Sequence, residues 1–324
     1  MDFEERRRVQ PSIDTAERRL EAGDAVLSVG AVFDRMWWRV RYLPPVRALA
    51  AVKHRFAPAD WGGGTMAPAV RQPVGSWLAP VLASSMTGPR RFRFLGIERE
   101  LSDNRGWRWK PWGDEWLSYL HAFDDLVADG ADSRREWHQS LISNWTLSNH
   151  PGKGMGWSPR SLPRRVANWV KFGLRRGEGL PESGRRSLVV QVRYLRQRLG
   201  AFGKAASPIS VAKALLFAGV YFQGGEADAW RRTGLALLDS ALRSASATPA
   251  SMAGRVAIED LLDLVQLARL YPGLLPDAHV QRWEQTAARW LAAPPAAAEA
   301  AFDAVPIPSM RALAEYGQRL GLRI

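Results

Sequence analysis

The chain has 324 residues, 46% of them apolar, which is enough to bury a substantial core as one large domain or two ordinary ones. It has no cysteine and five histidines, so a disulfide framework and a thiolate metal site are excluded and no cofactor is implied. A net charge of +13 and 15 tryptophans direct attention to polyanions as partners.

In chain order, "MDFEERRRVQPSIDTAERRL" puts charges where a signal peptide needs a continuous apolar run. No later stretch reaches the roughly 18 apolar residues that cross a bilayer. A cytoplasmic protein without a membrane span is expected. "FDRMWWRVRYL" and "PPVRALAAVKHRF", within residues 1–60, have helical patterning. Residues 61–110 carry Gly, Pro and alternating aromatic and basic residues, which predicts loops and a short strand or two. Residues 1–110 thus form an irregular N-terminal region.

From 111 to 324 the pattern is helical. "DEWLSYLHAFDDLVADG", "DSRREWHQSLISNWTLSN", "SLPRRVANWVKFGLRRG", "SGRRSLVVQVRYLRQRLGAFG", "SPISVAKALLFAGVYFQGG", "EADAWRRTGLALLDSALRSA", "SMAGRVAIEDLLDLVQLARLYPG" and "PDAHVQRWEQTAARWLAA" each repeat apolar residues at helical spacing between Gly, Pro or Ser breaks. An Ala/Pro linker and one short helix close the chain. Antiparallel hairpins of this length stack into a solenoid or an α/α ring, and no fixed repeat period marks a solenoid. The predicted class is mainly α.

The charge is unevenly placed. Residues 150–205 hold 13 Lys or Arg against Glu178 and Glu182, whereas from 206 onward 11 basic residues meet 11 acidic ones. At the start of the basic region lies "NHPGKGMGWSPRSLPRRVANWVKF", residues 149–172. Pro151, Gly152, Gly154 and Gly156 keep its first part out of a helix, and helical spacing begins at Leu162, so a Gly-rich loop runs into a helix N-terminus. Such places receive anions. The nucleotide-binding loop spacing is absent, because Leu147 stands where its first Gly belongs and Gly154 where its Ser or Thr belongs. Tryptophan rings stack on pyranose C–H faces while Asn, His and Arg bind hydroxyls and carboxylates, so Asn149, His150, Lys153, Trp157, Arg165, Asn168 and Trp169 are candidate binding residues for an acidic polysaccharide. The alternative is that Trp145, Trp157 and Trp169 are core between helices, and Trp145 and Trp169, which fall in the apolar stripes, suit that role equally well. "RGWRWKPWGDEW" adds Trp107 and Trp109 as candidates from a loop-like context, and stacking on unpaired bases beside Lys and Arg keeps nucleic acid open as a partner.

These residues resemble a motif of the heparinase II/III polysaccharide lyases, which show Gly-Trp-x-Pro and then Arg-x-x-Asn-Trp-Ile-Lys. Here Gly156, Trp157 and Pro159 precede Arg165, Asn168, Trp169, Val170 and Lys171 at the same spacing. "VAKALLFAGVYFQGGEADAW" and "IEDLLDLVQLARLYPG" look like two further family helices, so the resemblance covers roughly residues 90–324. It implies an incomplete (α/α) toroid. It also implies an Asn-His pair and a Tyr-His pair that carry out β-elimination, but these register on Ala206 and Ser207 and on Ala253 and Gly254. The family's C-terminal β-sandwich, with a further catalytic His, has no counterpart expected here. Tyr194, Tyr221, His138 and His150 are the few possible substitutes. The resulting expectation is a lyase-like protein, a pseudoenzyme or a truncated lyase, that binds acidic polysaccharide without turning it over. The alternatives are an active lyase, or a basic helical protein that binds nucleic acid or serves as a scaffold.

Overall fold

Why these residues fold as they do is clearest at the small sheet. The structure, a computed structural model, describes residues 66–78, 82–175, 179–244, 251–293 and 305–324. The helices expected within residues 1–60 and most of the Ala/Pro linker lie outside the described residues. Strands β1 (Met86–Gly88), β2 (Arg91–Phe94) and β3 (Ile97–Glu100) form one antiparallel sheet in the order β1-β2-β3. The sequence "RFRF" alternates with period two, so Phe92 and Phe94 are buried while Arg91 and Arg93 point outward to Glu100 and Glu98 at 3.0 and 2.9 Å. Such exposed pairs add little stability. The buried face contributes more, with Phe94 meeting Trp116 edge-on at 5.1 Å.

The rest is helical, and the described chain is mainly α as its patterning predicts. Helix α1 (Asp114–Ala122) opens with Asp114 and Glu115, which complement the dipole of its first turn. The helix expected to continue through "FDDLV" stops at Phe123, which adopts a left-handed conformation with φ 60°, and Asp124–Val127 wind as a 3-10 turn. A bulky side chain is held in that conformation only when its surroundings demand it. Here the ring of Phe123 lies 5.9 Å from Trp107 and 5.4 Å from Trp169. The break then sends Asp124 and Asp125 to different partners.

Helices α2 (Arg135–Ser148) and α3 (Leu162–Leu174) follow, α3 starting with Pro163 in its first turn and burying Leu162, Val166, Trp169, Val170 and Leu174 as the spacing predicts. The next expected helix divides at Arg198 into α4 (Glu182–Gln197) and α5 (Leu199–Ala205). Helix α6 (Pro208–Tyr221), capped by Ser207, is buried on all sides from residue 211 to 221, which identifies it as a core helix. It packs closely on α7 (Gly225–Ser244). A Cβ on Gly219 would fall 2.6 Å from the backbone nitrogen of Arg231, so only glycine permits this approach. Helices α8 (Met252–Leu270), α9 (Asp277–Leu291) and α10 (Met310–Arg319) complete the set, α8 and α10 being capped by Ser251 and Ser309.

An extended segment at residues 69–77 ties three of these helices together. The backbone N–H groups of Arg71, Val74 and Trp77 donate to the carbonyls of Tyr221, Leu270 and Leu174 at 2.8, 3.0 and 2.9 Å, which are the last residues of α6, α8 and α3. Each of these helices ends in carbonyls that lack an intrahelical partner, and the strap supplies one. The guanidinium of Arg71 adds donations to the Gly219 and Val220 carbonyls, both at 3.0 Å, and an ion pair with Asp228 at 3.3 Å. The C-termini of α3, α6 and α8 therefore lie at one end, within the ~20 Å that six extended residues span.

Replacing Arg71 with Ala leaves those carbonyls without their charged donor. The expected loss is about 1–3 kcal/mol of unfolding free energy in urea. An unchanged midpoint would show that the strap does not hold the helix ends.

Candidate functional site

The Gly-rich segment folds as a loop, with Gly152 and Gly154 at φ 75° and 78°, followed by a 3-10 turn over Met155–Trp157. His150 and Lys153 stand exposed on it. Its other two candidate binding residues, Asn149 and Trp157, face inward. Asn149 is buried and donates from Nδ2 to the Trp145 carbonyl at 3.0 Å, and Trp157 packs 5.1 Å from Tyr194 and 5.9 Å from Trp145. Arg165 is fully buried without a carboxylate. Its Nε donates to Gln191 Oε1 at 2.9 Å, Nη1 to the His121 carbonyl at 2.9 Å and Nη2 to the Gly156 carbonyl at 2.5 Å, while its carbon lies 4.0 Å from the Trp145 ring centroid. Carbonyl acceptors and an aromatic face make such a buried cation tolerable. Asn168 donates to the Ala122 carbonyl at 3.0 Å and to Asp124 Oδ1 at 2.8 Å.

Trp169 and Trp107 are also fully buried, and Trp107 Nε1 donates to Asn144 Oδ1 at 2.8 Å. Trp109 is 51% exposed. The expected binding set therefore divides. His150, Lys153 and Trp109 reach the surface, whereas Asn149, Trp157, Arg165, Asn168, Trp169 and Trp107 are packed inside with most of their polar groups bonded to the protein. The physical reason is that the Arg-x-x-Asn-Trp spacing places these residues on the core face of α3, where the aromatic cluster receives them. The four tryptophans of "RGWRWKPWGDEW" behave likewise, since only Trp109 is largely exposed, Trp112 being half-buried and Trp107 and Trp116 sealed.

A second cluster joins charges that are far apart in the sequence. Lys213 on α6 binds Asp260 Oδ1 of α8 at 2.7 Å and also contacts Asp263, which Lys171 of α3 and the Tyr316 hydroxyl of α10 approach as well, the latter at 3.1 Å. Arg164 pairs with Asp124 and with Glu259 Oε2 at 3.4 Å, and it donates to the Pro306 carbonyl at 2.8 Å. Ser210 Oγ donates to Asp260 Oδ2 at 2.5 Å. Burial opposes charge throughout this cluster, yet Asp260, Asp263 and Glu259 together hold the Lys213 ammonium above its ordinary value, and Lys171 and Lys213 hold Asp263 below its own. For Glu259 burial prevails and raises its pKa. The detectable sequence signal was a single Lys in "VAKALLFAGVY" and three acids in "IEDLLDL", because charges inside apolar helices must find each other.

The positions that the lyase resemblance makes catalytic are inert. Ser207 Oγ accepts the Ser210 N–H at the start of α6, and Ser251 Oγ accepts the Gly254 N–H at 3.0 Å at the start of α8. Ala206 is half-buried, Ala253 exposed and Gly254 buried. Among the possible substitutes, Tyr194 and Tyr221 are buried, Tyr221 with its pKa pushed by burial up to about 12, and His138 is buried with Nε2 at 2.8 Å from Asp125 Oδ2. Asp125 also accepts the Ser85 and Met86 backbone N–H groups at 2.7 and 2.9 Å and Arg134 Nε at 2.8 Å. Of the four only His150 is exposed.

No family model, curated protein or solved structure matches the chain. Among the described residues no group of three or more His, Asp or Glu is placed to hold a metal ion, and no helix is long and apolar enough to cross a membrane. An open cleft of about 610 Å³ between α2 and the start of α4 is lined by Glu136, Glu182 and Arg185 beside Gln139, Ser140 and Ser143. Two carboxylates against one guanidinium suit an acidic ligand poorly.

Two measurements follow from the buried groups. Lys213→Met leaves Asp260 and Asp263 short of their common cation and is expected to cost about 3–5 kcal/mol in chemical denaturation; a cost below about 1 kcal/mol would show the pair to be hydrated rather than sealed. His121 accepts Trp145 Nε1–H at Nδ1, 2.9 Å away, and donates from Nε2 to the Trp107 carbonyl at 2.9 Å. Burial, with Arg165 alongside, lowers its pKa to about 3 from 6.5. As pH falls below 6.5 the unfolded chain takes up a proton that the folded chain refuses. Stability then drops by up to about 1.4 kcal/mol per pH unit towards pH 3. The slope between pH 6.5 and 4.5 should flatten in His121→Gln, and an identical slope in both proteins would refute the assignment.

Proposed function

We propose that the chain is a non-catalytic relative of the heparinase II/III lyases, an incomplete (α/α) toroid that binds an acidic polysaccharide without cleaving it. Support for the framework comes from the three motif blocks, which fall on α3, on α6 with the start of α7, and on α8, and from the strap that gathers the C-termini of α3, α6 and α8 at one end. In an α/α ring, inner helices run side by side in this way.

The absence of turnover rests on one observation, the replacement of both proton-transfer pairs by Ala206, Ser207, Ala253 and Gly254, the last three of which lie in capped helix starts. β-Elimination removes a weakly acidic proton at C5 of a uronate. It therefore needs a base within hydrogen-bond reach and a group that neutralises the adjacent carboxylate. An alanine supplies neither, and the Ser207 hydroxyl is occupied with a backbone N–H.

Retention of binding is supported by the cations that the fold leaves outside. Arg164, Arg175, Arg185 and Arg193 of the basic region are spent on Asp124, Asp132, Glu182 and Glu226, whereas Lys153 and Arg160 stand exposed and have no ion pair among the described residues. Incubation with heparan sulfate, alginate and hyaluronan is expected to give no rise in the absorbance of unsaturated product, while affinity electrophoresis in the same polysaccharides retards the protein. Turnover above the substrate blank would overturn the non-catalytic reading.

A further inference from the structure

We infer that the acidic polysaccharide docks on a surface formed by Arg108, Trp109 and Lys110 together with His150 and Lys153 of the Gly-rich loop. This inference rests on the polysaccharide-binding reading above and moves the contact surface from the buried Arg-x-x-Asn-Trp motif to residues that solvent reaches.

The two segments lie side by side, since a Cβ placed on Gly154 would lie 4.0 Å from Arg108 Cγ. All five side chains are exposed, and Trp109 offers half of its surface between two consecutive cations. Arg108, Lys110 and Lys153 have no ion pair among the described residues. The neighbouring Asp103 is engaged, accepting the Arg105 N–H at 2.7 Å. Cations left without a counterion around an exposed flat ring form an anion-seeking surface, and a polymer is needed to satisfy several at once.

The surface is held from beneath. Arg165 Nη2 binds the Gly156 carbonyl at 2.5 Å and buried Asn149 Nδ2 donates to the Trp145 carbonyl at 3.0 Å, so both ends of the loop are fixed by buried side chains. A loop ordered before binding loses less entropy when the ligand arrives.

Sugar, rather than nucleic acid, is the occupant that the rings favour. Binding a single strand of bases uses a run of aromatic platforms. Here Trp107, Trp116 and Trp157 are sealed in the core, which leaves Trp109 as the one half-exposed ring among these charges in the described residues, the arrangement that suits a pyranose face with a carboxylate or sulfate on either side.

The test measures affinity and its salt dependence for the full chain with two probes, heparin as a sulfated chain and alginate as a carboxylate-only chain. Arg108→Ala, Lys110→Ala and Lys153→Ala combined should weaken binding at least about tenfold and reduce the slope of log K against log salt by about 2–3, as three lost ion contacts require. Trp109→Ala should weaken binding with the slope retained. The same charge removed elsewhere, by Arg232→Ala, Arg243→Ala and Arg289→Ala at exposed positions of α7 and α9, should leave affinity within about twofold. A weakening for heparin alone would assign the surface to sulfate, and for both probes to acidic sugars in general. Equal loss in both triple variants, or no loss in the first, would overturn this surface while leaving polysaccharide binding in place. Displacement of both probes by single-stranded RNA at lower concentration would overturn the sugar as occupant. Failure of the intact chain to bind either probe would overturn the reading beneath it.

Discussion

Lys213 and Asp263 depend on each other's burial. Stranding one charge of a sealed pair costs about 3–5 kcal/mol, a large share of a fold's net stability of about 5–15 kcal/mol, so each is stable in the core with its partner in position. The two come from α6 and α8, and Lys171 of α3 and Tyr316 of α10 converge on the same carboxylate. Four helices are thereby fixed in register at one locus. Apolar packing alone tolerates sliding and rotation, whereas a sealed network of this kind admits one arrangement. The strap at residues 69–77 does for the backbone carbonyls at the helix ends what the network does for side chains in the middle.

This constraint explains why the most conspicuous motif is not a surface. Residues that could hold a sugar are equally good at holding a core that contains charges. Arg165 clamps the Gly156 and His121 carbonyls, Asn168 joins Ala122 to Asp124, and Lys171 neutralises Asp263. Each is spent within the fold. What lies outside is a smaller set, His150 and Lys153 on the Gly-rich loop and residues 108–110.

The helices were legible because their apolar periodicity survives burial, as in α3, where Leu162, Val166, Trp169 and Leu174 all face inward. Phe123 was not legible as a helix end, because its left-handed backbone is imposed by rings distant in sequence rather than by a local glycine. The strap was hidden for a similar reason. Arg71 finds its carbonyl partners 148 and 149 residues away, and an extended segment that bonds helix ends has no alternation to betray it. Trp107 and Trp109 show the limit most plainly. They are two residues apart in the same aromatic and basic run, yet one is sealed and the other half exposed, since a 3-10 turn rather than a strand or helix decides their directions. The charges of "VAKALL" and "IEDLLDL" were visible individually, but their pairing is a tertiary fact.

Urea unfolding of Asn168→Ala beside Trp109→Ala tests most directly whether the motif is spent inside the fold. The account predicts that Asn168→Ala loses about 1–3 kcal/mol, because Asp124 and the Ala122 carbonyl lose a buried donor. It predicts that Trp109→Ala stays within about 0.5 kcal/mol of the parent, as an exposed side chain should. The reverse order, with a stable Asn168→Ala and a destabilised Trp109→Ala, would contradict it.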